Sequence, residues 1–108
     1  MTDEALIIAF LNGDTDAFNP LVTRWRKPIY NFVLRYAADR DSAEDLTQQT
    51  FIRAYQGLRK LDKPTRFSSW LYRIALNAAR DVGRSAGYGL EQTSAILTRL
   101  AGLSGSLR

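Results

Sequence analysis

Three polar side chains near the end of the strongly patterned part of the sequence are spaced to act together on a nucleic acid. Arg73, Asn77 and Arg80 recur at intervals of four and three residues, which puts them on one face of a helix. An asparagine amide can pair with a base edge, and arginines bind phosphates or guanine. The surrounding segment, residues 66–84, therefore indicates a helix that faces nucleic acid.

Charge is distributed unevenly along the 108 residues. Residues 1–52 carry five Lys or Arg against eight Asp or Glu, whereas residues 53–84 carry eight against two. The formal net charge of +4 is therefore concentrated in the second segment. A clustered basic surface attracts phosphates and releases their counterions, which gives salt-dependent affinity for nucleic acid. The alternative interpretation is an ordinary solvated helix face.

The sequence contains no cysteine and no histidine. Disulfides, thiolate chemistry, zinc binding by sulfur or imidazole, and acid/base catalysis by histidine are therefore excluded. No glycine-rich phosphate loop is present, and the carboxylates stand at helix starts or lack a paired partner. We expect no catalytic residues, no cofactor and no metal site, so an enzyme is the least favoured class.

The composition favours a single soluble domain. Hydrophobic residues make up 45% of the chain and aromatic residues 11%, which is enough for one core. The first ten residues, MTDEALIIAF, are acidic before a short apolar stretch. No apolar run approaches the roughly 20 residues that cross a bilayer. We expect a cytoplasmic protein without a membrane partner.

Every strong apolar periodicity is helical, so the expected fold is all-α, a compact bundle of about four helices. A first helix fits residues 3–12, and Gly13 suits the left-handed backbone that ends helices. A second helix should run to about residue 36. Pro28 removes one of its internal hydrogen bonds and predicts a kink or a split.

Two further helices follow from capping and charge patterns. The third should begin at Asp41 or Ser42, because Asp41 and Glu44 have capping-box spacing. A basic loop over residues 60–69 then precedes the fourth helix, which Ser68 or Ser69 can cap.

The last part of the sequence has a different composition. Five of the seven glycines fall after residue 82, with serines around them and one weakly amphipathic piece over residues 90–103. We therefore divide the chain into a helical domain, residues 1–84, and a linker or flexible, weakly helical tail, residues 85–108.

Four pieces of sequence follow one another along the chain: GDTDAF, PIYNFVLRY, DSAEDLTQQTFIRAY and FSSWLYRIALNAARD. In this order and spacing they resemble region two of bacterial sigma factors of the sigma-seventy family, specifically the extracytoplasmic-function (ECF) group. The resemblance covers residues 3–84. It implies a specificity factor, not an enzyme, that binds core RNA polymerase on the β′ clamp coiled coil. It also implies recognition and melting of the promoter minus-ten element, and an anti-sigma factor as a further partner.

The resemblance assigns the polymerase contact to the third helix. The residues concerned are Asp45, Gln48, Gln49 and Phe51. The spacing of the first three also lets them share a helix face. For Phe51 the alternative is a position in the core.

The same resemblance assigns the loop over residues 61–69 to a base flipped out of the non-template strand, and the following helix to the DNA strand. A flipped base needs a shaped pocket and nearby cations. The expected DNA-binding residues are Lys63, Arg66, Phe67, Tyr72, Arg73, Asn77, Arg80 and Arg84. For Phe67 the alternative is a hydrophobic staple before the helix, and for Tyr72 an ordinary packed position on the helix shoulder.

Two other classes of protein remain as alternatives. A helical repressor domain would bind duplex DNA in the major groove, and an all-α interaction module would have only an incidental basic face. The sequence also departs from the sigma-factor pattern, because nothing after residue 84 resembles the domain that binds the minus-thirty-five element. We therefore expect a chain cut before that domain or lacking it.

Overall fold

Four α-helices and three short 3₁₀ turns make up residues 1–84, which are the part of the chain that the computed structural model describes. The helices are α1 (Asp3–Leu11), α2 (Phe18–Val33), α3 (Arg40–Gly57) and α4 (Phe67–Arg84). No strand occurs in this part, and the all-α prediction is confirmed. The expected tail, residues 85–108, lies outside the described residues. Within residues 1–84, no helix is both long enough and apolar enough to cross a bilayer.

α1 begins at the expected residue, Asp3, and ends at Leu11, one residue before the expected end. The Thr2 hydroxyl accepts a hydrogen bond from the Ala5 N–H at 3.1 Å, which caps the first turn. Gly13 has a φ of +107°, a backbone conformation that residues with a Cβ rarely adopt. The expected role of Gly13 after the helix is confirmed.

α2 continues through Pro28, so the expected split does not occur. Leu21 on one side of the proline and Ile29 and Val33 on the other are fully buried. Burial on both sides holds the helix together despite the missing hydrogen bond. α2 ends at Val33, earlier than expected, because the chain tightens into a turn there and the Tyr36 N–H bonds to the Val33 carbonyl at 2.9 Å.

The start of α3 corrects the expected cap. The helix begins at Arg40, and the capping residue is Asp39, whose carboxylate accepts from the Ser42 N–H at 2.8 Å. This backbone hydrogen bond, with a contribution from the Ser42 side chain, lowers the pKa of Asp39 below its usual value. Asp41 lies inside the first turn, where its charge complements the helix dipole.

α4 also begins earlier than expected. A 3₁₀ turn over Pro64–Arg66 leads directly into Phe67, the first residue of the helix. The two serines proposed as caps therefore lie within the first turn. The hydroxyl of Ser69 donates to the Arg66 carbonyl at 3.1 Å and so bonds backward to the turn.

The core is formed jointly by the four helices. α3 packs against both α2 and α4, while α1 packs against α2 and the turn that precedes α4. Large side chains with less than 2% exposure come from every helix: Ile7, Leu21, Ile29, Val33, Phe51, Phe67 and Leu71. The loop and the helix with the predicted DNA-binding residues are therefore anchored on a continuous apolar cluster.

Candidate functional site

α4 separates an apolar side from a polar side. Leu71, Ala75 and Ala78 have no exposed surface and pack in the core. Arg73, Asn77 and Arg80 are all exposed. The spacing that predicted one shared face therefore corresponds to an accessible surface, which we call the α4 polar face. Its amide and guanidinium groups can bind base edges and phosphates. Arg84 is the last residue of α4.

The loop before α4 supplies two more exposed cations. Lys63 and Arg66 are both open to solvent. Arg66 Nη1 lies 3.4 Å from Asp62 Oδ2, and the two side chains are 61% and 64% exposed. An ion pair this exposed is weak, so the guanidinium can exchange Asp62 for another anion. The loop and the α4 polar face thus both expose cations to solvent, and the α4 polar face adds an amide.

Two aromatics proposed for DNA contact are placed elsewhere by the structure. Phe67 is 1% exposed and belongs to the core. Tyr72 is half-buried, and its ring packs edge-on against Phe32 at 5.1 Å between centroids. Phe67 therefore has no accessible face for stacking, whereas Tyr72 is partly covered by Trp25 and Phe32 of α2 and keeps some exposed surface. The alternative interpretation of each residue, a packed aromatic side chain, agrees with these positions.

The residues proposed for polymerase contact all lie on α3, but most of them are buried. Gln48 is 6% exposed and Gln49 is 4% exposed, while Asp45 is half-buried. Phe51 is 1% exposed and forms part of the core, so its ring is withdrawn from the proposed contact. The buried Oε1 of Gln49 lacks a hydrogen-bond partner, an arrangement that costs free energy unless another group supplies a donor.

An ion pair joins the two helices that carry the proposed contacts. Arg53 Nη1 on α3 lies 3.0 Å from Asp81 Oδ2 on α4, and the side chains are 31% and 43% exposed. No local pattern in the sequence indicates this ion pair, because its two residues lie far apart along the chain. In the described part of the chain, no group of three or more metal-ligating side chains is arranged to hold an ion.

Comparison with known proteins identifies the family. A sequence model of Sigma-70 region 2 matches residues 21–87. ECF RNA polymerase sigma-E factors from Haemophilus influenzae and Escherichia coli are 37% and 38% identical to this chain over 81 residues. The RNA polymerase sigma-H factor of Pseudomonas aeruginosa is 35% identical over 79 residues.

A solved structure is similar over most of the fold. It is the NMR structure of an engineered region 2 of sigmaE in complex with GTAAAA, with a TM-score of 0.70 and 39% sequence identity. The similarity covers 81% of this chain and 95% of the other. This chain belongs to the sigma-70 region 2 family. The sigma-E relatives within that family are ECF factors, which confirms the resemblance inferred from the four sequence pieces.

The match has a defined extent. The aligned segment is 75% of this chain but only 42% of the length of the sigma-E factors. It is 73% of this chain and 41% of the sigma-H factor. The similarity therefore concerns region 2, which is less than half of the length of these relatives.

Proposed function

We propose that this domain recognises and melts the promoter minus-ten element through the α4 polar face and the preceding loop, and binds core RNA polymerase through α3. The observation that carries the proposal is the exposure of Arg73, Asn77 and Arg80 on the side of α4 opposite its buried apolar residues. This arrangement combines one amide for base readout with cations for the sugar-phosphate backbone. The complex of the similar engineered region 2 of sigmaE with GTAAAA supports the same role here.

In this proposal the loop cations hold the non-template strand once its bases are unpaired. Single strands are bound by a positive groove together with groups that receive the bases. Lys63 and Arg66 supply charge directly before α4. Because Phe67 and Tyr72 are packed between helices, we leave their rings out of the proposed contact surface and assign them to the support of that surface.

The partner of α3 in this proposal is the β′ clamp coiled coil of core RNA polymerase. Asp45 is the most accessible of the residues concerned, while Gln48 and Gln49 contribute amides that are nearly buried in the free chain. A donor from the partner would satisfy the orphan Oε1 of Gln49. The domain then acts in the cytoplasm as a specificity factor without catalytic activity, and an anti-sigma factor is a further proposed partner.

Two double substitutions test the two surfaces separately. Asn77→Ala/Arg80→Ala should weaken binding of a labelled single strand containing GTAAAA by at least tenfold, since one specific base contact is worth about 1–3 kcal/mol. Asp45→Ala/Gln48→Ala should weaken binding to purified core polymerase and leave strand binding within about twofold. Fluorescence anisotropy measures the first affinity and surface-immobilised polymerase the second.

The controls separate the proposal from its alternatives. Arg40→Ala removes one exposed positive charge from the acidic first turn of α3 and should leave strand affinity nearly unchanged. A repressor domain would prefer duplex DNA over the single strand, and an interaction module would show no salt-dependent DNA binding. Either result, or wild-type affinities for both double variants, would reject the assignment of these surfaces.

A further inference from the structure

One carboxylate ties the start of α1 to α2. Oδ1 of Asp3 accepts a hydrogen bond from Arg24 Nη1 at 2.5 Å, and Oδ2 accepts one from Trp25 Nε1 at 2.9 Å. Arg24 Nη2 also donates to the Met1 carbonyl at 2.7 Å. Because each oxygen has its own donor, Asp3 fixes the orientation of both the guanidinium and the indole.

The Trp25 ring connects that carboxylate to α4. It lies edge-on to Phe67, with 6.4 Å between centroids, and to Tyr72, at 6.2 Å. Phe67 is the first residue of α4, and Tyr72 directly precedes Arg73 of the polar face. Edge-to-face pairs have preferred geometries, so a ring held in one orientation favours one position of its neighbours. The Asp3 hydrogen bond therefore acts on the helix turn beneath the proposed DNA contact.

An open cleft lies beside the Phe67 ring, at the turn that leads into α4. It has a volume of about 430 Å³ and is lined by Asp3, Glu4 and Arg24 on one side and by Thr65, Phe67 and Ser68 on the other. Side chains that face an open cleft have no packed neighbour on that side. The turn that leads into α4 therefore depends on the remaining contacts, which include those of Trp25.

We infer that Asp3, acting through Trp25, is a positioning residue that sets the first turns of α4 and thereby the sequence discrimination of the α4 polar face. This inference rests on the proposed function for the identity of the ligand. Asp3 lies on α1, outside both proposed contact surfaces. Its influence passes through the hydrogen bond and the aromatic contacts, without any contact to DNA.

The test compares Asp3→Ala with a matched control. Asp3→Ala should reduce the ratio of affinities for a GTAAAA strand and a scrambled strand by about tenfold, the factor that corresponds to one charge-assisted hydrogen bond. Glu4→Ala removes the same charge from the same helical turn. Glu4 lines the same cleft but takes no part in the hydrogen bonds to Arg24 and Trp25, so this variant should leave the ratio unchanged. Asp3→Asn retains an acceptor for the indole N–H and should fall between wild type and Asp3→Ala. Circular dichroism defines a temperature at which all variants are folded.

A second variant isolates the indole hydrogen bond. Trp25→Phe retains an aromatic ring but removes the N–H that Asp3 accepts. It should reproduce much of the loss, and the double variant Asp3→Ala/Trp25→Phe should lose little more than the larger single effect. Independent, additive effects would overturn the inferred route, as would equal discrimination by Asp3→Ala and Glu4→Ala. Polymerase affinity should stay within about twofold in every variant.

Hydrogen exchange distinguishes failure of this inference from failure of the proposed function. In the free protein, Asp3→Ala should accelerate exchange of the amides at residues 70–73 relative to Glu4→Ala, because the first turns of α4 are less restrained. If wild type does not distinguish the two strands, the proposed function fails, and the exchange comparison still tests the positioning role. Unchanged exchange at residues 70–73 would overturn the positioning role whatever the strand affinities are.

Discussion

α3 and α4 both carry polar residues at helical spacing, yet the two helices use them differently. On α4, Asn77 and Arg80 are exposed, and the opposite side of the helix is fully apolar. On α3, Gln48 and Gln49 are almost completely buried. Helical spacing therefore indicates a shared face in both helices but does not tell whether that face is open to solvent. The α4 residues are free to meet a ligand, whereas the α3 amides also belong to the folded structure.

The largest expected effect tests whether Phe51 belongs to the core or to the polymerase contact. Phe51→Ala should lower the free energy of unfolding by about 3–5 kcal/mol, because a fully buried ring is replaced by a cavity. Urea denaturation followed by circular dichroism measures this loss. Phe51→Leu should keep the domain folded and its polymerase affinity near wild type. If Phe51→Leu is folded but binds polymerase much more weakly, the Phe51 ring takes part in the polymerase contact.

Substitution of Gln49 should change the free energy of unfolding by less than Phe51→Ala does, and in the opposite direction. Gln49→Leu should raise the free energy of unfolding by about 1 kcal/mol, because it removes a buried oxygen without a hydrogen-bond partner. Gln56→Leu, at an exposed position on the same helix, should change stability by less than about 0.5 kcal/mol. Chemical denaturation of both variants measures the difference. A clear loss of stability in Gln49→Leu alone would mean that the side-chain amide is bonded in solution.

The ion pair between α3 and α4 should contribute less. Single and double alanine substitutions of Arg53 and Asp81 should give a coupling energy between about 0.2 and 1 kcal/mol, because both side chains are partly exposed. The matched cycle on Asp62 and Arg66 should give a smaller value, since that pair is longer and more exposed. A larger coupling in the loop pair would contradict the ranking of the two contacts.

The smallest expected effect is a loss at low pH of the stability that the Asp39 cap gives to α3. The folded-state pKa of Asp39 lies below its ordinary value of 3.8, so the cap contributes stability above that pH. This contribution is lost as the pH falls through the folded-state pKa. The difference in Tm between wild type and Asp39→Asn should therefore be constant near neutral pH and shrink below about pH 4. Asp41→Asn, which lacks the capping position, is the control and should show less of this pH dependence.

Local patterns predicted the parts of the molecule that depend on neighbours in sequence. The helical class, the role of Gly13 and the common face of Arg73, Asn77 and Arg80 all follow from periodicity or backbone preference. Local patterns do not decide where α3 begins, because the sequence DRDSAED places four carboxylates within about two helical turns. The structure selects Asp39, whose extended backbone brings its carboxylate to the Ser42 N–H.

Contacts between distant residues could not be predicted from spacing. The chemistry of Tyr72 suits either DNA or packing, and only the position of Phe32 on α2 decides that the ring is packed. The Asp3 carboxylate and the Trp25 indole are separated in sequence by the rest of α1 and the first part of α2, so no local pattern joins them. Residue type and period indicate which side chains share a face, and tertiary packing decides which of them stay accessible.

The ion pair within the loop before α4 affects how each cation would respond to salt. In the free domain, Asp62 lies beside Arg66 and acts as a tethered counterion. Binding of a phosphate by Arg66 would displace this carboxylate instead of releasing a mobile ion from solution. Arg66 should then add less to the slope of affinity against salt concentration than Arg73 does. The loop would thus enter a complex with part of its charge already neutralised.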